Sequence, residues 1–312
     1  MVSICVPAYK KPDFVIRLLD AVLLQDYKDV EVVITDDSPN DGIQLAIAPY
    51  LDQLTIQYYR NIPALGSPKN WNSAIDRSKG DFFMLVHQDD WFENPQALSI
   101  FVSALTKNPY ASFAFCKNIA QKANGEYMVL QAIPSLLYKL KSFPNRLLLA
   151  QVMGPPSNVM LKAEVKSVVR YDEKFIWLVD VDYNSRLIKA GYDYVYLDQH
   201  LVTIGLHKDQ TTEFCRDNED IMFRENIWFA HKIGSAAFRD MLIYDYYWRL
   251  LRNHGIRNMN DFCANKLDPQ EIPPIINSML EWQSNLPFYL LKFGPSSKIL
   301  MAASYFFTGF RK

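Results

Sequence analysis

Phe82-Phe83-Met84-Leu85-Val86-His87-Gln88-Asp89-Asp90-Trp91-Phe92 sets a run of five apolar residues against an adjacent pair of carboxylates. Phe82 to Val86 reads as a buried strand, and the acids fall where that strand would emerge. In an open α/β sheet, ligands bind outside the carboxyl ends of the strands. Two neighbouring carboxylates there repel unless a cation or a donor-rich ligand satisfies them, and a divalent metal carrying a diphosphate would do so. Acid pairs alone carry no weight: 34 acidic residues in 312 give about four adjacent pairs by chance. The chain has Asp36-Asp37, Asp89-Asp90, Asp172-Glu173 and Glu219-Asp220. Only the first two follow strand-like apolar runs.

Working outward, the first hundred residues alternate strand and helix patterns. Val2 to Val6 is an apolar run ending at Pro7. Asp13 is placed to cap a helix whose apolar positions, Phe14, Val15, Leu18, Leu19, Val22 and Leu23, recur at helical spacing. Val30 to Thr35 is a second strand, closed by turn formers from Asp36 to Gly42. Thr55 to Arg60 is a third, Gly66 to Lys79 carries a helix, and Phe82 to Val86 is the fourth strand. Helical crossovers between β-branched runs predict a mostly parallel sheet with helices on its faces. From Ala111 to about Leu206 the pattern is mixed, with short strands at Ser112–Lys117, Asn158–Leu161, Tyr194–Leu197 and Val202–Leu206, and a helix from Val181 to Ala190 closed by Gly191. Beyond Phe214 the strand signal disappears and residues 216–312 read as helical. The expected division is a nucleotide-binding and catalytic domain over 1–212 and a helical region over 213–312.

Composition narrows the function classes. Apolar content of 49% and charged content of 21% are those of a globular protein. A net charge of −1 argues against a nucleic-acid partner, which would demand a basic face. The four cysteines, Cys5, Cys116, Cys215 and Cys263, show no C-x-x-C spacing. Cys5 and Cys116 lie in strand-like runs, which fits buried reduced thiols and a cytoplasmic protein. No leader pattern and no run of 18 apolar residues is present in the sequence.

Several polar groups fall where a cleft would form. Asp36 or Asp37 can accept from the ring N–H of a nucleobase, with Tyr9 stacking beside it. Arg60-Asn61 and Asn70-Trp71-Asn72 would line the same cleft. Asp89-Asp90 is the natural metal and ribose site, since magnesium or manganese takes one or two carboxylates and completes its shell with phosphates and waters. Asp180 and Asp182 open a helix; two residues apart, they point to different faces, so one at most faces the cleft, where it would serve as a general base. His207 ends another apolar run and is available as a neutral imidazole ligand.

Taken in order, these segments resemble family-2 glycosyltransferases of the GT-A fold. The residues carrying the likeness are Val2-Ser3-Ile4-Cys5-Val6-Pro7-Ala8-Tyr9, Glu31 through Asp41, Asn61…Gly66…Asn70, Gly80-Asp81 leading into Asp89-Asp90, and Asp180 followed by Arg186-Leu187 and Gly191. The resemblance implies a Rossmann-like, mostly parallel central sheet flanked by helices. It places Asp37, with Pro7 and Tyr9, at the donor base, Asn61 and Asn70 along the same cleft, and Asp89 at the ribose. Asp90 would bind Mn2+ or Mg2+ on the diphosphate, with His207 as a further ligand, and Asp180 would be the catalytic base, with Asp182 the runner-up. Two positions depart from the family pattern: Val179 replaces the glutamate of a Glu-Asp motif, and Asp36-Asp37-Ser38-Pro39 replaces Asp-Asp-Gly-Ser.

The reaction so implied is inverting sugar transfer from a nucleotide-sugar donor, UDP-linked above all, to a glycan or lipid-linked glycan in cell-surface polysaccharide synthesis. The alternatives are a nucleotidyltransferase, which usually needs a Gly-rich loop that Ala8-Tyr9-Lys10-Lys11 lacks, and a non-catalytic nucleotide-sugar-binding assembly protein. Leu286 to Lys312 mixes many apolar residues, from Phe288 to Phe310, with Lys292, Lys298, Arg311 and Lys312. This segment reads either as an amphipathic anchor on the inner face of the cell membrane or as a helix packed on the protein's own core or on a second subunit in a homodimer.

Overall fold

The computed structural model describes residues 1–130, 134–264 and 269–307. Its contacts divide the chain into two compact units, Met1–Pro144 with Gln151–Gln210, and Asn145–Ala150 with Thr211–Lys312.

The first unit is a mixed α/β unit. Its strands are β1 (Val2–Ala8), β2 (Val30–Asp36), β3 (Thr55–Arg60), β4 (Phe82–Leu85), β5 (Trp91–Phe92), β6 (Ala111–Cys116), β7 (Asn118–Gln121), β8 (Tyr127–Leu130), β9 (Val159–Lys162), β10 (Asp193–Leu197) and β11 (Val202–Gly205). Its helices are α1 (Pro12–Leu23), α2 (Gly42–Ile47), α3 (Lys69–Arg77), α4 (Ala97–Lys107), α5 (Pro134–Lys139) and α6 (Val179–Lys189). Seven strands form one sheet in the order β10-β6-β9-β4-β1-β2-β3, in which β9 alone runs antiparallel to its neighbours. The strand order reverses at β1, which has β2 on one side and β4 on the other. Such a switch point opens a crevice at the carboxyl ends of the strands. The period-two pattern of β1 explains its placement: Val2, Ile4, Val6 and Ala8 bury one face against Val15, Leu18 and Leu19 of α1 and Phe101 and Leu105 of α4.

Two features differ from the sequence expectation. Asp13 is not the cap of α1; Lys11, in a left-handed conformation, precedes Pro12, and Asp13 lies in the first turn, where the helix dipole favours an acid. A second sheet, β5-β11-β7-β8, joins β11, expected as the Val202–Leu206 strand, to three segments not expected as strands. Cys5, Cys116 and Cys215 are buried free thiols; burial pushes the first two up to about 12. The Cys263 side chain, like Phe310, Arg311 and Lys312, lies outside the described residues.

The second unit is helical throughout its described residues: α7 (Thr211–Asp217), α8 (Glu219–Ile233), α9 (Met241–Asn253), α10 (Met259–Ala264), α11 (Pro274–Ser284), α12 (Phe288–Lys292) and α13 (Gly294–Phe307). Tyr244, Tyr247, Trp248 and Leu251 of α9 are fully buried at helical spacing and form its centre with Phe223, Phe238 and Met279. Residues Asn145–Ala150 join it through the Arg146–Asp240 ion pair at 2.6 Å. No described helix is long and apolar enough to cross a membrane.

Candidate active site

The carboxyl ends of β1, β2 and β4 carry Tyr9, Asp37 and the His87–Asp90 turn, so the strand-end acids of the first unit gather along one sheet edge. Asp36 is spent on structure: it accepts from Ser38 N at 2.8 Å and Tyr58 Oη at 2.8 Å. Asp37 accepts from Asn61 Nδ2 at 2.8 Å and Leu65 N at 3.0 Å on one oxygen, and from Gly66 N at 2.8 Å on the other. A carboxylate has about four lone-pair sites, so one remains for a ligand N–H. Asn61 also donates to Asn70 Oδ1, and Asn70 donates to the Thr35 carbonyl, so both asparagines brace the Asp37 loop. Pro7 is half-buried in β1. Tyr9 is 51% exposed at its end and exchanges two backbone hydrogen bonds with the Gln88 amide, each 3.0 Å. Lys10 and Lys11 follow with positive φ, a strained conformation for residues with a Cβ, and Lys11 pairs with Asp209 at 2.6 Å.

Asp89 and Asp90 are adjacent yet held by different partners. Asp89 meets His207 Nε2 at 2.9 Å and Gln210 Nε2 at 3.3 Å. His207 Nδ1 accepts from Asp209 N at 3.2 Å, so in the neutral ring Nε2 carries the proton and donates to Asp89. As placed, His207 supports Asp89, and ligation by Nε2 would require it to release that carboxylate. Asp90 is buried and accepts from Ser157 Oγ and from Gly205 N at 3.1 Å. Although Asp89 is desolvated, its bond to His207 and the charges of His87 and His207 bring its pKa below the usual carboxylate range. Burial beside the Asp89 charge pushes Asp90 well above it.

Gly205 ties the pair together, since a Cβ there would lie 2.3 Å from the Asp89 carbonyl oxygen. Arg17 of α1 donates to that same carbonyl at 2.5 Å and lies 3.9 Å from the Trp91 ring centroid.

The sequence reading missed His87. Its ligand nitrogen and oxygens of Asp89 and Asp90 lie within 4.8 Å of one another, the one such His/Cys/Asp/Glu group among the described residues. Its Nε2 is buried without a hydrogen-bond partner among the described residues. The only signal was its place three residues before Asp90.

Asp180 is in the first turn of α6. Burial raises its pKa to about 6, against the opposing hydrogen bond from the Val181 N–H. Asp182, one face away, is buried in an ion pair with Arg186 at 2.7 Å, which in turn holds the Arg170 carbonyl.

An aromatic chain runs from His87 to Tyr171. His87 packs on Trp71 at 4.7 Å between ring centroids, Trp71 on Tyr171 at 5.3 Å, and the Tyr171 hydroxyl feels the Asp180 charge in addition to its own burial. The segment from Gln151 to Ser157 reaches Asp90 through the Ser157 hydroxyl. Gly154 lets that segment turn: its φ is +74°, and a Cβ would meet Asn158 Nδ2 at 2.4 Å. Asn72 fixes Tyr171 by two bonds to its backbone, at 2.9 and 3.0 Å.

Comparisons with known proteins agree on one class. The amylovoran biosynthesis glycosyltransferase AmsB of Erwinia amylovora is 26% identical over 236 residues, 68% of this chain and 74% of that protein. The crystal structure of S. aureus TarS 1-349 superposes with a TM-score of 0.56 at 16% identity, covering 96% of this chain and 82% of that 1-349 chain. The mannosyltransferase PcManGT of Pyrobaculum calidifontis, solved with GDP-Man and Mn2+, gives 0.54 at 14% identity over 97% and 73% of the two chains. These neighbours share the GT-A fold. The model of glycosyl transferase family 2 matches residues 3–165, from the first strand through the Asp37 loop and the Asp89-Asp90 turn to the end of β9, so this chain belongs to glycosyl transferase family 2.

Proposed function

We propose that this chain is a metal-dependent, inverting glycosyltransferase that moves a sugar from a nucleotide-diphosphate sugar to an acceptor hydroxyl. The observation that carries the reading is the His87-Asp89-Asp90 group at the carboxyl end of β4, in a chain whose α6 opens on Asp180, a carboxyl that burial raises to about 6. Asp37 and Tyr9 offer the base one acceptor lone pair and an exposed ring, which suits the imide N–H of uracil in a UDP-sugar. A UDP-GlcNAc complex of TarS and the GDP-Man complex of PcManGT support a nucleotide-sugar donor. AmsB, by its description an amylovoran biosynthesis enzyme, supports a polysaccharide or lipid-linked glycan acceptor.

The donor set fits a divalent cation. Two carboxylates and one imidazole are ligands that Mn2+ and Mg2+ accept, the nitrogen favouring manganese. His87, Asp89 and Asp90 would hold it, with His207 as the bracket on Asp89. When bound, the cation stabilises charge on the departing diphosphate. Asp180 takes the acceptor proton as the new C–O bond forms and the anomeric C–O bond to phosphate breaks, the diphosphate leaving with that electron pair. Burial keeps Asp180 poorly solvated and therefore basic enough near neutral pH. The nucleotidyltransferase reading is weaker, because Lys11 is committed to Asp209.

The test is a transfer and hydrolysis assay across UDP-, GDP-, dTDP- and CMP-sugars, with and without Mn2+. Turnover of one donor class, lost in Asp180→Asn while that nucleotide still binds, supports the proposal. Binding without turnover of any donor or acceptor supports the assembly-protein reading instead.

A further inference from the structure

Helix α13 buries Ser297, Met301 and Ser304 and leaves large apolar side chains outside. Ser297 and Ser304, seven residues apart and so on one face, point inward. Ser297 Oγ receives Trp248 Nε1 and Arg252 Nη1, each at 3.2 Å, and Ser304 shares a 2.7 Å hydrogen bond with the Tyr244 hydroxyl. The outward face carries Ile299 and Phe306, also seven apart, at 71% and 69% exposure. Tyr289 and Phe293, on and just after α12, add two more exposed rings at 72% and 64%. A surface helix that hides hydroxyls and shows isoleucine and phenylalanine is arranged for an apolar medium on its outer side.

Charge selects the medium. From Trp282 to Lys312 the sequence has Lys292, Lys298, Arg311 and Lys312 and no acidic residue, in a chain whose net charge is −1. Lys292 and Lys298 are exposed, and Lys292 Nζ lies 4.8 Å from the Phe288 ring centroid. A second copy presenting the same face would bring the same positive charge, with no acid in this stretch to balance it. We propose that the outer face of α12 and α13 docks on an anionic lipid surface. Ile299, Phe306, Phe293 and Tyr289 enter the headgroup boundary, and Lys292 and Lys298 meet lipid phosphates. This adds a membrane-held acceptor to the glycosyltransferase reading, but its test uses no turnover and stands or falls separately.

The full chain is floated with phosphatidylcholine vesicles with and without phosphatidylglycerol, beside Ile299→Glu/Phe306→Glu and Lys292→Ala/Lys298→Ala. The unaltered chain is expected to float with the phosphatidylglycerol vesicles and to lose binding as salt rises. Each lysine removed should lower partitioning about five-fold, and the glutamate pair should abolish it. All four positions face solvent, so unchanged circular dichroism is expected; the alanine pair carries the test should the glutamate pair fail to fold. Absence of flotation by the unaltered chain, or equal flotation by both variants, overturns the proposal. So does self-association in sedimentation that the glutamate pair abolishes without any vesicle binding, which would make this face an interface between copies.

Discussion

Replacing Asp180 by asparagine should separate chemistry from stability. Burial lifts its carboxyl from 3.8 to about 6. A carboxyl raised in the folded state is favoured when protonated, so the folded chain loses stability as pH rises from 3.8 through 6, and the full cost stands above 6. Two pKa units correspond to about 3 kcal/mol, an upper figure because Asp180 keeps some contact with solvent. Asparagine is nearly isosteric, preserves an acceptor for the Val181 N–H at 2.8 Å, and removes the charge. The variant should therefore melt no lower than the unaltered chain, and up to several degrees higher at pH 8. Its turnover should fall by about 10²–10⁴, the usual contribution of a general base. In the unaltered chain, kcat/KM should follow the ionised fraction, dropping about ten-fold between the plateau and pH 5, and residual activity of the variant should lack that acid limb. Initial rates from pH 5 to 8 with differential scanning calorimetry at both ends check this. An Asp180→Asn variant that keeps wild-type turnover, or melts several degrees lower, would refute the assignment of the base.

The other expectations follow the same contacts. Asp90→Asn should remove the Mn2+-dependent gain in UDP affinity by calorimetric titration while metal-independent binding persists. Asp37→Ala leaves the Asn61 amide and the Leu65 and Gly66 N–H groups without their acceptor, and should cost about 1–3 kcal/mol in urea denaturation besides weakening nucleotide binding. Gly205→Ala forces a Cβ to 2.3 Å from the Asp89 carbonyl, so Mn2+ binding followed by electron paramagnetic resonance should weaken. His87→Ala should shift the preference from Mn2+ toward Mg2+, because it deletes the nitrogen donor and spares both carboxylates.

The long apolar runs of β1, β2 and β4 were legible because buried parallel strands read as continuous hydrophobic stretches. The acids at their ends were legible because a strand's end fixes where the next polar residue stands. What escaped detection depends on contacts distant in sequence. His87 is one residue past Val86 and looks like part of the turn; its significance comes from Trp71 and from oxygens that other segments hold in place. β5 has two residues, too few to alternate, and β7 opens and closes on polar residues, Asn118 and Gln121. Asn145–Ala150 leaves the first unit for the second through Arg146, an ion pair that no local pattern announces.

The second sheet, of which only β11 was legible in the sequence, explains why neighbouring acids can differ. β5 begins immediately after Asp90 and pairs with β11, so β11 is drawn alongside the turn that carries both acids. β11 ends at Gly205, whose N–H holds Asp90, and the chain then reaches His207 and Gln210, which hold Asp89. One strand thus supplies a donor to each carboxylate within six residues, while Arg17 caps the Asp89 carbonyl from the opposite side. Left to a flexible turn, two adjacent carboxylates would splay apart to lessen their repulsion. Clamped from β11, α1 and Ser157, they remain close enough to share one cation with His87, and the cost of holding them there is the electrostatic attraction a divalent ion would meet on arrival.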